Sequence, residues 1–141
     1  MRSTQTILVP VDGSDPSTRA LEYAVDRVTM AGKGSLRVVN VQLGMPASRY
    51  VSRDMIAEHQ HRLADAALKA ARALLKRRKL DADISVHIGD PAATIVTLAK
   101  RRGCSEIVMG SRGRGRVAGM LLGSVASKVI QLSPCPVTIV K

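Results

Sequence analysis

Five short apolar runs alternate along the chain with four longer segments whose apolar residues recur every three or four positions. The short runs are rich in Val and Ile, which is typical of strands buried on both faces of a parallel sheet. The longer segments have the spacing of amphipathic helices. This order predicts one α/β domain with a parallel sheet and helices on both faces. The predicted strands cover residues 6–11, 35–41, 83–88, 106–109 and 137–140, and the predicted helices cover 16–31, 53–79, 91–102 and 122–132.

Turn and cap signals mark the ends of these helices. Asp15 is predicted to cap the first helix, with Pro16 as its first residue, and Gly32 to end it. Asp90 and Pro91 repeat the same order before the third helix. Because open parallel sheets bind ligands beyond the carboxyl ends of their strands, the residues after each strand are the candidate site.

The second helix is predicted to be amphipathic, with one apolar stripe that faces inward. This stripe consists of Ile56, Leu63, Ala67, Ala70, Leu74 and Leu75.

Length and charge narrow the choice of partners. The 141 residues fit a single domain over residues 1–141. A net charge of +11 predicts attraction to anions, but two Tyr and no Phe or Trp are too few to stack the bases of single strands. Basic residues collect at Lys76–Lys79 and Lys100–Arg102, near the ends of two predicted helices. They complement the helix dipole or contact nucleic acid, and both interpretations stay open.

Metal chemistry and membrane insertion are not expected. Cys104 and Cys135 lack zinc-site spacing and are expected to be buried thiols. His59 and His61 point to different faces of a helix, and His87 is expected to pack within a strand. No apolar run approaches the ~18 residues of a membrane span. Because no secretory signal is seen at the N-terminus, a cytoplasmic location is expected.

A glycine-rich segment, residues 109–125, follows the fourth strand and opens the fourth helix. Glycines let backbone N–H groups approach phosphate oxygens, and a helix N-terminus adds unpaired N–H donors. Ser111, Ser124 and three arginines add hydroxyl groups and positive charge. This context favours a phosphate-binding loop over a surface loop with incidental arginines. The arginines are Arg112, Arg114 and Arg116.

Two common phosphate motifs are excluded. A Walker A loop needs Gly-Lys-Ser/Thr, but Lys33 is followed by Gly34. The dinucleotide fingerprint is matched formally by Gly113, Gly115 and Ala118, yet no acidic residue follows Glu106. Since that fingerprint uses an acidic residue about 20 positions later to bind ribose, a dinucleotide-dependent dehydrogenase is not predicted.

The spacing that fits is Gly110-x2-Gly113-x9-Gly123-Ser124. With it, the chain resembles the universal stress protein family over essentially its whole length. The resemblance implies a Rossmann-like, adenine nucleotide alpha hydrolase-like fold with a five-stranded parallel sheet in the order 3-2-1-4-5. It also implies a homodimer formed through the strand at 137–140. The motifs that carry it are Ile7-Leu-Val-Pro-Val-Asp-Gly-Ser14, Gly89-Asp-Pro91, Val108-Met-Gly-Ser-Arg-Gly113, Leu121-Leu-Gly-Ser-Val125 and Ser133-Pro-Cys-Pro-Val137.

The resemblance is to the ATP-binding members of this family, which implies an ATP site, with Mg²⁺ carried by the nucleotide's phosphates. From the residues alone, Asp12 accepts bonds from a ribose or simply caps the Gly13-Ser14 turn. The resemblance assigns Pro10, Val11 and Asp12 to adenine and ribose, and the Val41 backbone to the adenine edge. The remaining implied contacts are Met109, Gly110, Arg112, Gly113, Arg114, Gly123, Ser124 and Val125.

Two functions follow. The first is an ATP-binding stress-response or regulatory protein with at most slow ATP hydrolysis or self-phosphorylation. No catalytic residue is predicted, because no general base is evident at the γ-phosphate, and whether the protein is an enzyme stays open. The second is a basic nucleic-acid-binding α/β module without nucleotide dependence, whose affinity would fall steeply with salt.

Overall fold

The protein was analysed as a computed structural model that describes residues 4–113, 119 and 121–141. The predicted alternation of strands and helices is confirmed, and most ends agree within two residues. No helix in these ranges is both long and apolar enough to cross a membrane. The elements are β1 (Thr6–Pro10), α1 (Asp15–Ala31), β2 (Ser35–Gln42), α2 (Arg53–Arg77), β3 (Asp83–Ile88), α3 (Pro91–Arg101), β4 (Glu106–Gly110), α4 (Ser124–Leu132) and β5 (Val137–Val140).

The five strands form one sheet in the order β3-β2-β1-β4-β5, and every neighbouring pair is parallel. Ile7 of β1 stands opposite Leu36 of β2 on one side and Glu106 of β4 on the other. The predicted fold class and strand order are therefore confirmed. The chain first adds β2 and β3 on one side of the central strand β1 and then adds β4 and β5 on its other side. The crevice beyond the carboxyl ends of β1 and β4, where this order reverses, is the expected ligand position.

Side chains of β1 alternate between two apolar layers, one on each face of the sheet. Ile7 and Val9 pack with Leu21 of α1 and Leu68 of α2. Leu8 packs on the other face with a cluster that includes Ile95 of α3 and Val129 of α4. The sheet is consequently covered on both faces, as its continuous apolar strands require.

The cap of α1 is Ser14, and the prediction of Asp15 is wrong. The Ser14 hydroxyl accepts the Ser17 backbone N–H at 3.3 Å, while Asp15 lies in the first helical turn. Asp12 accounts for the difference, because its carboxylate accepts the Ser14 N–H at 2.9 Å and holds Ser14 in an extended conformation. A residue with extended backbone is the one whose side chain can reach back to the helix N–H groups.

The inward stripe of α2 also differs from the prediction. Leu63 is 40% exposed, and Ala70 is exposed as well. Ala64, Leu68 and Ala71 are buried instead. The buried face therefore carries three alanines, at 64, 67 and 71, whose small side chains let α2 lie close to the sheet while Leu68 fills the space between.

Candidate functional site

A cavity of about 290 Å³ lies at the carboxyl ends of β1, β2 and β4. It brings together the predicted site residues that the structure describes; Arg114 lies outside the described residues. β1 contributes its last residue and the two that follow it, and α4 contributes its first turn. Its lining is Pro10, Val11, Asp12, Ser17, Val41, Pro91, Ile95, Met109, Gly110, Arg112, Gly113, Gly123, Ser124, Val125 and Ala126.

One wall of the cavity is apolar. Pro10, Val41 and Met109 end or nearly end their strands, and Pro91 and Ile95 complete the wall from the first turns of α3. Sequence reasoning missed the two α3 residues. Pro91 opens the helix that follows β3, so the rule about carboxyl ends of strands could have found it. This wall suits the flat face of an aromatic base.

A second part of the lining is polar and includes Asp12. The Asp12 carboxylate accepts the Ser14 N–H, so Asp12 does cap the Gly13-Ser14 turn. This hydrogen bond is made by Oδ1 alone. The Asp12 backbone N–H lies 3.4 Å from the Ser17 hydroxyl, which also lines the cavity. Asp12 therefore sits in a positioned turn with its second carboxylate oxygen on the side of Gly113.

A buried amide holds the end of β1 in place. Asn40 is 3% exposed, and its Nδ2 donates to the Val11 carbonyl at 2.8 Å. The Val11 N–H donates to the Val39 carbonyl at 2.8 Å, so both sides of that residue are anchored to β2. Sequence reasoning missed Asn40. Its signal was a lone amide inside the apolar run of β2, because a buried polar group needs a partner.

Two of the cavity glycines have a neighbour within 3.0 Å of the position of a Cβ atom, a backbone atom for Gly110 and a side-chain oxygen for Gly113. A Cβ atom on Gly110 would lie 2.8 Å from the backbone carbon of Pro16, and one on Gly113 would lie 2.5 Å from Asp12 Oδ2. Gly123 is different, because the nearest atom to such a Cβ is 3.5 Å away, an ordinary contact. A Cβ atom on Gly123 would therefore lie against the backbone of residues 111–113 without a clash, so packing does not require glycine at this position.

The N-terminus of α4 faces the cavity without a side-chain cap. Among the described residues, α1, α2 and α3 are capped by Ser14, Ser52 and Asp90, whereas Gly123 offers no side chain to α4. Gly123 donates its N–H to the Ser111 carbonyl at 2.7 Å, which fixes the entry to the helix. The first N–H groups of α4 consequently remain available to an anion. Arg112 lines the same cavity and adds a positive charge.

Both cysteines lie in or against the apolar layer of α3 and α4 and outside the cavity lining. Cys104 is buried, and burial raises the pKa of its thiol. Cys135 is half-buried. Within the described ranges, no group of three or more His, Cys, Asp or Glu residues is placed to hold a metal ion.

Comparison with known proteins assigns the chain to a family. A model of the universal stress protein family matches residues 3–141. Universal stress protein YxiE of Bacillus subtilis is 34% identical over 145 residues, which cover 96% of this chain and 97% of that protein. The fold is similar to that of universal stress protein UspA from Lactobacillus plantarum, with a TM-score of 0.77, 23% identity and full coverage of both chains. It is also similar to a universal stress protein in complex with cAMP, with a TM-score of 0.65, 26% identity, and coverage of 98% and 97%. This chain belongs to the universal stress protein family.

Proposed function

We propose that the protein binds ATP in the cavity at the end of β1 and acts as a nucleotide-binding regulatory protein of the stress response. The observation that carries the proposal is the uncapped N-terminus of α4, which opens into a cavity with one apolar and one polar wall. An anion at the helix end and a base against the apolar wall would satisfy both walls at once.

Each part of the nucleotide has a matching surface. The adenine would lie between Pro10 and Val41 on one side and Met109 on the other, with the backbone of Val41 available to its edge. The ribose would reach Asp12, whose Oδ2 is not used by the Ser14 N–H. The phosphates would meet Gly123, Ser124 and the first N–H groups of α4, and Mg²⁺ would be carried by the phosphate oxygens.

The related structure in complex with cAMP supports an adenine nucleotide as the class of ligand. ATP in particular is favoured by the glycine spacing of residues 110–124 and by the positive charge of Arg112, since a triphosphate carries more negative charge than a cyclic monophosphate. Arg114 would add to this charge. A cytoplasmic location stays a prediction from the sequence.

Rapid ATP turnover is not part of the proposal. Asp12 is the single carboxylate in the described lining, and it holds the turn before α1 and lies on the ribose side. A general base has to lie within hydrogen-bond reach of the attacking water. We therefore propose at most slow hydrolysis or self-phosphorylation.

Calorimetric titration with ATP tests the proposal directly. The double variant Gly123→Val with Ser124→Ala places a branched side chain in the space at the α4 N-terminus and removes a hydroxyl. We expect ATP affinity to fall by about tenfold or more, since a phosphate loses one or more charge-assisted hydrogen bonds.

The matched control is Gly44→Val with Ser48→Ala, in the loop between β2 and α2. Neither residue lines the cavity, and a Cβ on Gly44 meets only Ile88 at 3.7 Å. The control should bind ATP as the wild type does. Nucleotide released from denatured, freshly purified protein should be identified by chromatography. A wild type that binds no ATP, or a double variant that binds it equally well, contradicts the proposed site.

A further inference from the structure

Two basic helix ends lie at the opposite end of the molecule from the cavity. In this fold the helices run back against the parallel strands, so α2 and α3 both finish at the edge where the strands begin. The turn after α3 is attached there, because the Ser105 N–H donates to the Thr6 carbonyl at 2.9 Å. We call the exposed cations of these two ends the basic helix-end surface: Lys76, Arg77, Lys79, Lys100, Arg101 and Arg102.

The beginning of β3 lies between the two halves of this surface. On one side of β3, Ile84 lines an open depression together with Lys76 and Lys79. On the other side, Asp83 and Ser85 line a small cleft with Arg102. Successive strand residues point to opposite faces, so one strand separates the two halves. The cations therefore form a band across an edge of the sheet and do not converge on an enclosed pocket.

The charges of this surface are not neutralised by neighbouring acids. In the described part of the chain, none of the six side chains has a carboxylate oxygen within 4.0 Å. The acidic groups close by are mostly engaged elsewhere: Asp26 pairs with Arg78 at 2.7 Å, and Asp83 pairs with Arg37. Asp81 is exposed in the same depression and is the one acidic group left to offset six cations.

Compensation of helix dipoles does not account for the six cations of the basic helix-end surface. α1 and α4 each end without a basic residue in the last turn. A helix end in this fold is therefore stable without such charges, and the excess at α2 and α3 points to a partner. The stabilisation of a helix by a cation at its C-terminus falls off beyond the last turn. Lys79 and Arg102 already lie past the ends of their helices.

We propose that the basic helix-end surface binds the phosphate backbone of double-stranded nucleic acid, without sequence preference and independently of the ATP cavity. A band of unpaired cations suits a linear polyanion, whose phosphates repeat along its length. A duplex is favoured over a single strand because the two tyrosines, Tyr23 and Tyr50, lie outside this surface and cannot offer a stacking platform. The basic helix-end surface itself carries no large exposed apolar side chain within residues 72–84 and 98–105 to insert into a membrane. Met30, Ile130 and Leu132 are exposed at the ends of α1 and α4, so anionic vesicles are included in the test.

Fluorescence anisotropy with a labelled 24-base-pair duplex of mixed sequence tests this proposal on the full chain over a range of salt concentrations. Two triple variants neutralise one half each: Lys76→Gln, Arg77→Gln and Lys79→Gln, or Lys100→Gln, Arg101→Gln and Arg102→Gln. The slope of log affinity against log salt is negative, and each lost phosphate contact should make it less steep by about 0.9. Each triple variant should therefore make the slope less steep by about 2–3 and weaken binding about tenfold or more at low salt.

A charge-matched control removes three exposed arginines from the other end of the molecule, Arg49→Gln, Arg53→Gln and Arg62→Gln. These lie in the loop before α2 and in its first half, and none has an ion pair within the described ranges. The slope of log affinity against log salt should differ between the control and the wild type by no more than about 0.9, the value of one phosphate contact. Circular dichroism should show that all variants are folded.

Three outcomes overturn the proposal. The first is a wild type that does not bind the duplex at low salt, and the second is a control that loses as much affinity as the triple variants. The third is binding to phosphatidylserine vesicles that displaces the duplex, which would identify a membrane as the partner. None of these outcomes bears on calorimetric ATP binding, so failure of this proposal is distinguishable from failure of the ATP site.

Discussion

At the scale of single residues, the glycines of the cavity serve two different purposes. Gly110 is glycine because a Cβ would lie 2.8 Å from the Pro16 backbone, and a Cβ on Gly113 would displace the Asp12 carboxylate. Gly123 has room for a Cβ in ordinary contact with residues 111–113, so packing does not require glycine there, and we attribute this glycine to the proposed phosphate site. The shared spacing motif therefore combines structural positions with one position that faces the proposed phosphates.

This difference predicts that a change of glycine to alanine affects mainly stability at position 110 and mainly ATP binding at position 123. Gly110→Ala should lower the free energy of unfolding by about 1–3 kcal/mol, because the start of α1 must move away from β4. Gly123→Ala should lower it by less, about 0.5–1 kcal/mol, because Ala is a poorer N-cap than Gly, but it should also weaken ATP binding. Urea unfolding and calorimetry measure the two effects separately. If Gly123→Ala is the more destabilised variant, the assignment of roles is wrong.

At the scale of elements, one carboxylate joins α1, β4 and β5. Glu106, on β4, accepts hydrogen bonds from Arg27 of α1 and from Thr138 of β5. Its side chain is 12% exposed, and its hydrogen bond raises the pKa of Arg27. The edge strand β5 has only four residues, all half-buried, so this network is one of the contacts that attach it to the domain.

The network predicts the cost of removing its charge. Glu106→Gln should lower the free energy of unfolding by about 1–3 kcal/mol, because hydrogen bonds to a charged group are replaced by weaker ones in a mostly buried place. The matched control is Asp83→Asn, which breaks the pair with Arg37 at a side chain that is 61% exposed. Asp83→Asn should lower the free energy of unfolding by less than about 1 kcal/mol. Urea unfolding measures both variants, and equal losses of unfolding free energy would contradict the role given to burial.

At the scale of the whole molecule, β5 is an edge strand of the sheet, with no further strand beyond it among the described residues. The Ile107 N–H donates to the Pro136 carbonyl, and the Ser111 N–H donates to the Val140 carbonyl, so the carbonyls of 136 and 140 point inward. By the alternation of a parallel ladder, the N–H of Ile139 points away from β4, where no other strand lies within residues 4–113 and 121–141. Exposed edges of this kind are usually covered or paired.

We therefore predict a two-fold homodimer through strand 137–140, as the resemblance to the family implies. Multi-angle light scattering should give a dimer at micromolar concentration. Ile139→Pro removes the outward N–H and should give a monomer with unchanged far-ultraviolet circular dichroism. A wild type that is monomeric at micromolar concentration would contradict the prediction.

The sequence alone determined most features that depend on neighbouring residues, and the cap of α1 is the exception. Runs of β-branched residues, the glycine after α1 and the Asp90-Pro91 start of α3 are local signals, so they predicted the elements and most of their ends. The site residues were found because they follow strands or belong to contiguous motifs. The strand order came from the resemblance to a family, since pairing joins distant segments.

Only the tertiary structure decided what depends on the approach of distant groups. The buried face of α2 is set by the space above the sheet, which buries Leu68 and leaves Leu63 40% exposed. Asn40 has a role because the Val11 carbonyl lies 2.8 Å away on another strand. The two basic helix ends are about 25 residues apart in sequence and form one surface only because both helices end at the same edge of the sheet. Such contacts are set by packing across the fold, which no local pattern of residues encodes.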